Sequence, residues 1–218
     1  VHTSEGGSGQ FIHFADRAAI DHWDKLRVLD ELWAATDPHK PNLFYLLLAN
    51  LPETGDGKAT AALVKEFERL LGPDYIMVRT SVQRTDNKPL NLPRTPNCLT
   101  PMEAAAWCLA KRDAIAAGGS NLTDYAFVTH RFMDARAGAW ARATPDDPMV
   151  EIHGLWGLPD ALQYCPYDSW EIHLPTETAT EYTEYKSNFL RCQSDGSWSY
   201  LRVKNELARS LCIAKKDA

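Results

Sequence analysis

Several residues carry side chains and spacings that could do chemistry. Arg79 lies towards the end of the apolar run YIMVRTSV, residues 75–82. A guanidinium at a strand end can fork onto phosphate oxygens, and it stays charged at any working pH. The competing role for such an arginine is an ion pair at the rim of a core. Lys186 alternates with Tyr182 and Glu184 in a late strand-like run. It could reach a phosphate, although a lysine in that position more often faces solvent. Glu151 and Glu171 could face one cleft as paired carboxylates, and would look the same as solvated strand faces. The stretch GLWGL, residues 154–158, places Trp156 before a glycine that permits a tight turn. It lacks the glycine spacing of a phosphate loop and reads as a structural corner with a large buried anchor. The seven histidines have no HExxH or similar metal spacing, and no GxSxG elbow is present. No metal site is therefore expected, and a lone His130 is more often structural than catalytic.

The totals narrow the partners. The 218 residues carry a formal net charge of −6, with 44% hydrophobic and 24% charged residues. That balance argues against a broad nucleic-acid surface or an anionic membrane, while leaving room for a local basic pocket. Five cysteines, an odd number with no CxxC pair, point to free thiols in a reducing compartment and to a cytoplasmic protein. No apolar stretch approaches the roughly 20 residues that span a bilayer.

These side chains need elements to position them. Residues 1–15 are Gly/Ser-rich at their start and read as a flexible segment. Apolar residues at helical spacing predict helices over 16–35 and 59–71. Thr100, Pro101 and Glu103 suit the N-cap, first-turn and reciprocal positions of a third helix running to about residue 117. Strands are expected at 43–48, 75–82, 125–133, 138–143, 149–153, 170–174, 182–192 and 197–203, with a short helix near 158–163. QSDGS joins the last two strands as a hairpin turn. The Thr-rich acidic run 176–185 reads as an exposed loop entering a strand. The order predicts an α+β protein with a helix-rich lobe, 16–120, and a strand-rich lobe, 121–218.

Three segments occur in a fixed order: IMVRTSV, then FVTHRFMDARAGAWARATPDDP, then VEIHGLWGLPDALQYCPYDSWEI. Together, over about residues 75–174, they resemble the ATP-binding domain of phosphoenolpyruvate synthase, pyruvate phosphate dikinase and the rifampicin phosphotransferases. The resemblance implies an ATP-grasp-like, two-lobed fold with mixed and antiparallel sheets and flanking helices. It implies ATP and magnesium as cofactors. Arg79 would hold phosphate. His130, Phe132 and Met133 would fall on the strand that lines the adenine. Other domains of a longer protein would supply the phosphoryl acceptor. The family's glycine-bearing phosphate loop corresponds here to residues 83–99, which contain no glycine, and proline removes donors at Pro89, Pro93 and Pro96. Its early lysine and its metal-binding Glu and Gln have no clear counterparts. The expectation is a nucleotide-binding domain of this type, as a fragment or a degenerate relative. The alternative is a non-catalytic protein-binding or scaffold module on the same fold.

Overall fold

In the computed structural model, residues 20, 23–35, 43–53, 55, 57–83, 92–95 and 97–213 are described. The N-terminal segment 1–15 and most of the glycine-free loop lie outside them. The chain is α+β and divides into two compact units, Val1–Phe132 and Met133–Ala218. The first unit closes after Phe132, one residue beyond the strand at the centre of its sheet.

The first unit is built on β1 (Leu43–Leu47), β2 (Ile76–Val82) and β3 (Tyr125–Arg131), antiparallel in the order β1-β3-β2. Helices α1 (Asp24–Ala35), α2 (Gly57–Leu71) and α3 (Pro101–Ala117) accompany it. In α2 the buried residues are Ala59, Leu63, Phe67 and Leu71, one every fourth position. That spacing draws a single apolar stripe along the helix. It meets Leu46, Ile76, Val78 and Phe127 from one sheet face, with Ala104, Ala105, Cys108 and Leu109 of α3 completing the cluster. Trp107 packs on Phe127 with ring centroids 5.5 Å apart. The other sheet face offers Tyr45, Ala126 and Val128 to Ile20, Trp23 and Leu26. Strand alternation puts these two residue sets on opposite faces.

The start of α3 is a full capping box. The Thr100 hydroxyl accepts the Glu103 N–H at 3.3 Å, and the Glu103 carboxylate accepts the Thr100 N–H at 2.9 Å. Just before it, the described part of the glycine-free loop runs along the free edge of β2. Thr80 donates its N–H to Pro93 at 3.1 Å, and Thr95 donates its N–H to Val78 at 3.1 Å. A proline has no N–H, but its carbonyl still accepts, so Pro93 fits this edge role.

The second unit holds β4 (Ala137–Ala143), β5 (Met149–Trp156), β6 (Asp168–His173) and β7 (Thr178–Tyr182), antiparallel in that order. A separate hairpin pairs β8 (Asn188–Cys192) with β9 (Trp198–Arg202). The expected long strand 182–192 is thus two strands, with residues 183–187 linking them. Residues 178–182 of the Thr-rich run form β7, an edge strand whose β-branched residues suit a half-exposed ladder. No helix among the described residues is long and apolar enough to cross a membrane.

Candidate functional site

The second unit contains a pocket of about 350 Å³. Its apolar wall is Trp156, Phe189, Val203 and Leu207. Arg136, Arg191, Arg202 and Lys204 also line it, with Asp134 as the sole lining carboxylate. Four cations against one carboxylate give a local balance of +3 on a chain of net charge −6.

Gly157 makes the geometry. Its φ is +77°, and a Cβ there would stand 2.3 Å from the Leu190 carbonyl oxygen. Only a residue without a side chain allows that approach. The Gly157 N–H donates to the Arg136 carbonyl at 2.9 Å, and the Leu158 N–H to the Leu190 carbonyl at 3.0 Å. The turn thereby ties the entry of β4 and the middle of β8 to the end of β5. Trp156, the residue before the turn, is buried against Val203 and Ala208. Its indole N–H donates to the Leu207 carbonyl at 3.1 Å. The GLWGL stretch is therefore a structural corner, and the indole it anchors is one wall of the pocket.

The charged groups differ in what they already hold. Arg191 grips Asp134 with Nε at 3.2 Å and with a second guanidinium nitrogen. That hydrogen-bonded carboxylate raises the Arg191 pKa further above its ordinary range. Arg136 lies over the Trp156 ring, 5.8 Å from its centroid, a cation–π distance. Among the described residues, Arg136, Arg202 and Lys204 form no salt bridge. Three cations beside an indole and a phenyl ring can bind an anion attached to a flat or apolar body.

The residues singled out in the sequence are distributed otherwise. Arg79 is exposed on β2 and faces Val128 across the ladder. His130, half-buried on β3, faces Met77 on the same side of the sheet. Burial lowers its pKa, an effect opposed by its hydrogen bond to the Arg131 carbonyl and reinforced by the Arg79 charge. Arg79 and His130 are thus brought near one another. Phe132 continues β3 on that side, with its N–H donated to Tyr75 at 2.7 Å. It stands four residues beyond the partner of Arg79, roughly 13 Å along the strand. Met133 opens the second unit and is exposed.

Lys186 is fully buried rather than solvent-facing. Its ammonium donates to the Asp168 carboxylate and, at 3.0 Å, to the Glu184 carbonyl. Asp168, equally buried, also accepts the N–H groups of Glu184 at 3.2 Å and Cys212 at 3.0 Å. Lys186 sits in the linker 183–187 rather than in a strand, while Asp168 opens β6, so the alternation that suggested exposure does not apply to Lys186. Glu151 and Glu171 face each other directly across β5 and β6.

Sequence reasoning did not find Arg136, Arg191, Arg202 or Lys204. The available signal was weak: basic residues scattered between 136 and 204 of an acidic chain, two of them, Arg191 and Arg202, within the strands of a predicted hairpin. No family model matches this sequence, and no curated protein matches it. What defines the chain at this point is its class: an α+β protein of two units, the second carrying a cationic pocket with an aromatic wall.

Proposed function

We propose that the chain is a nucleotide-binding module whose second unit holds a purine nucleotide in this pocket. The observation that carries the reading is the +3 lining on an otherwise acidic chain, beside the aromatic groups Trp156 and Phe189. Guanidinium and ammonium groups suit phosphate oxygens, and the rings suit a base. The volume lies at the lower end of the roughly 300–1,000 Å³ range of small-molecule sites. The finer reading is an ATP-grasp-like domain of the phosphoenolpyruvate synthase type, working on a cytoplasmic nucleotide pool and joined to other domains. It is supported by the order of the three segments and by the α+β architecture; of the residues in them, Trp156 lines the pocket, while Arg79, His130, Phe132 and Met133 are not among its lining residues.

Magnesium, which the resemblance also implies, does not fit this pocket. The ion takes oxygen ligands in an octahedron, usually including one or two carboxylates. The one carboxylate lining the pocket, Asp134, is held by Arg191. Among the described residues no three His, Cys, Asp or Glu side chains group as metal ligands.

The test is calorimetric titration of ATP, ADP and AMP into the wild type and into Arg202→Gln and Lys204→Gln. Saturable 1:1 binding is expected, weakened roughly 10–150-fold by each substitution, the scale of one charge-assisted hydrogen bond. Absence of saturable binding at about millimolar nucleotide would sink the reading. The protein-binding alternative has one observation in its favour: Trp140, Tyr164, Tyr182, Tyr185 and Tyr200 of the second unit are all exposed. Aromatic residues are enriched at protein interfaces.

A further inference from the structure

Resting on that reading of the pocket, we infer that the ligand is taken up as the metal-free nucleotide polyphosphate rather than as its magnesium complex. Charge is the first ground. A triphosphate brings about four negative charges, and its magnesium complex about two, so attraction to a lining of +3 is roughly halved by the metal. The second ground is the donor set. A protein that receives the magnesium complex usually offers the ion a carboxylate. Asp134 is engaged through both oxygens, with Arg191 Nε 3.2 Å from one and a second guanidinium nitrogen on the other. Moving Asp134 to a metal would strip Arg191 of its partner. Arg136, Arg202 and Lys204 instead stand ready to do by hydrogen-bonded charge what the metal does elsewhere.

The consequence is functional. Phosphoryl transfer relies on a metal bridging the β- and γ-oxygens and neutralising the charge that develops there. A pocket that selects the uncomplexed anion binds without transferring. Its occupancy then falls as free magnesium rises, so the module responds to the uncomplexed nucleotide and not to the total. Inorganic tripolyphosphate shares the charge without the base, and so separates phosphate attraction from stacking.

The experiment is calorimetry on the full chain with ATP, ADP and tripolyphosphate, in EDTA and again in excess magnesium at equal ionic strength. ATP is expected to bind at least about 5-fold more tightly in EDTA, in line with the halved Coulomb attraction. Lys204→Gln, an exposed position whose folding is checked by circular dichroism, should shrink that ratio. Equal affinity in the two buffers, or tighter binding with magnesium, overturns the metal-free form while leaving the nucleotide site standing. No saturable binding in either buffer sinks the site itself, and this inference with it.

Discussion

Replacing Lys186 with methionine removes one partner of a fully buried ion pair. Both Lys186 and Asp168 have no exposed side-chain surface. After Lys186→Met, the Asp168 carboxylate remains buried and keeps two backbone donors, Glu184 at 3.2 Å and Cys212 at 3.0 Å. Breaking a buried pair from one side costs about 3–5 kcal/mol. The two retained donors put Lys186→Met at the lower end, about 3 kcal/mol. Asp168→Asn leaves an ammonium whose other acceptor is the Glu184 carbonyl at 3.0 Å, and belongs at the upper end. For a unit the size of Met133–Ala218, each kcal/mol moves the midpoint by about 4–8 °C, so Lys186→Met should lower it by about 12–24 °C. Differential scanning calorimetry reads this directly, with urea unfolding as a check. The double variant Lys186→Met/Asp168→Leu should recover most of the loss, because it leaves no uncompensated charge. A single variant within about 1 °C of wild type, or a double variant with both single losses summed, would refute the reasoning.

Three further outcomes follow from particular residues. Gly157→Ala forces a Cβ to within 2.3 Å of the Leu190 carbonyl at a φ of +77°, so it should destabilise the second unit by more than about 3 kcal/mol in urea unfolding and weaken ligand binding as well. Thr100→Ala removes the cap of α3 and should cost about 1 kcal/mol by the same assay, with the pocket unaffected. Burial, with the Asp30 carboxylate adding to it, pushes the Tyr45 phenol up to about 12 from an ordinary 10.0. The fold therefore favours the neutral phenol. Its contribution is fully present below pH 10 and is lost as pH rises towards 12. Urea unfolding at both ends of that window should show a smaller loss for Tyr45→Phe than for wild type.

The elements that were legible in the sequence are those fixed by local chemistry. Thr100, Pro101 and Glu103 announce α3 within four residues, and the structure has the capping box they predict. The apolar stripe of α2 and the turn of the β8–β9 hairpin are equally local, with Gly196 at a φ of +81°. What was not legible depends on pairings far apart in the chain. Whether residues 182–192 form one strand or two is decided by where Lys186 meets Asp168, eighteen residues earlier. The pocket assembles Arg136, Trp156, Arg191 and Lys204 from four separate segments, joined because Gly157 lets β8 approach the end of β5. No periodicity in any one segment carries that meeting. Gly157 itself was readable as a tight turn, but its partner strand was not.

The central claim is that nucleotide occupies the pocket walled by Trp156. Its indole N–H is bonded to the Leu207 carbonyl and gives a distinct signal in a ¹H–¹⁵N spectrum, assigned by loss in Trp156→Phe. On titration with ATP in EDTA, that signal should shift saturably, while those of Trp23, Trp33 and Trp107 in the first unit stay fixed. A Trp156 signal that does not move while the first-unit indoles do would place any nucleotide elsewhere and contradict the account.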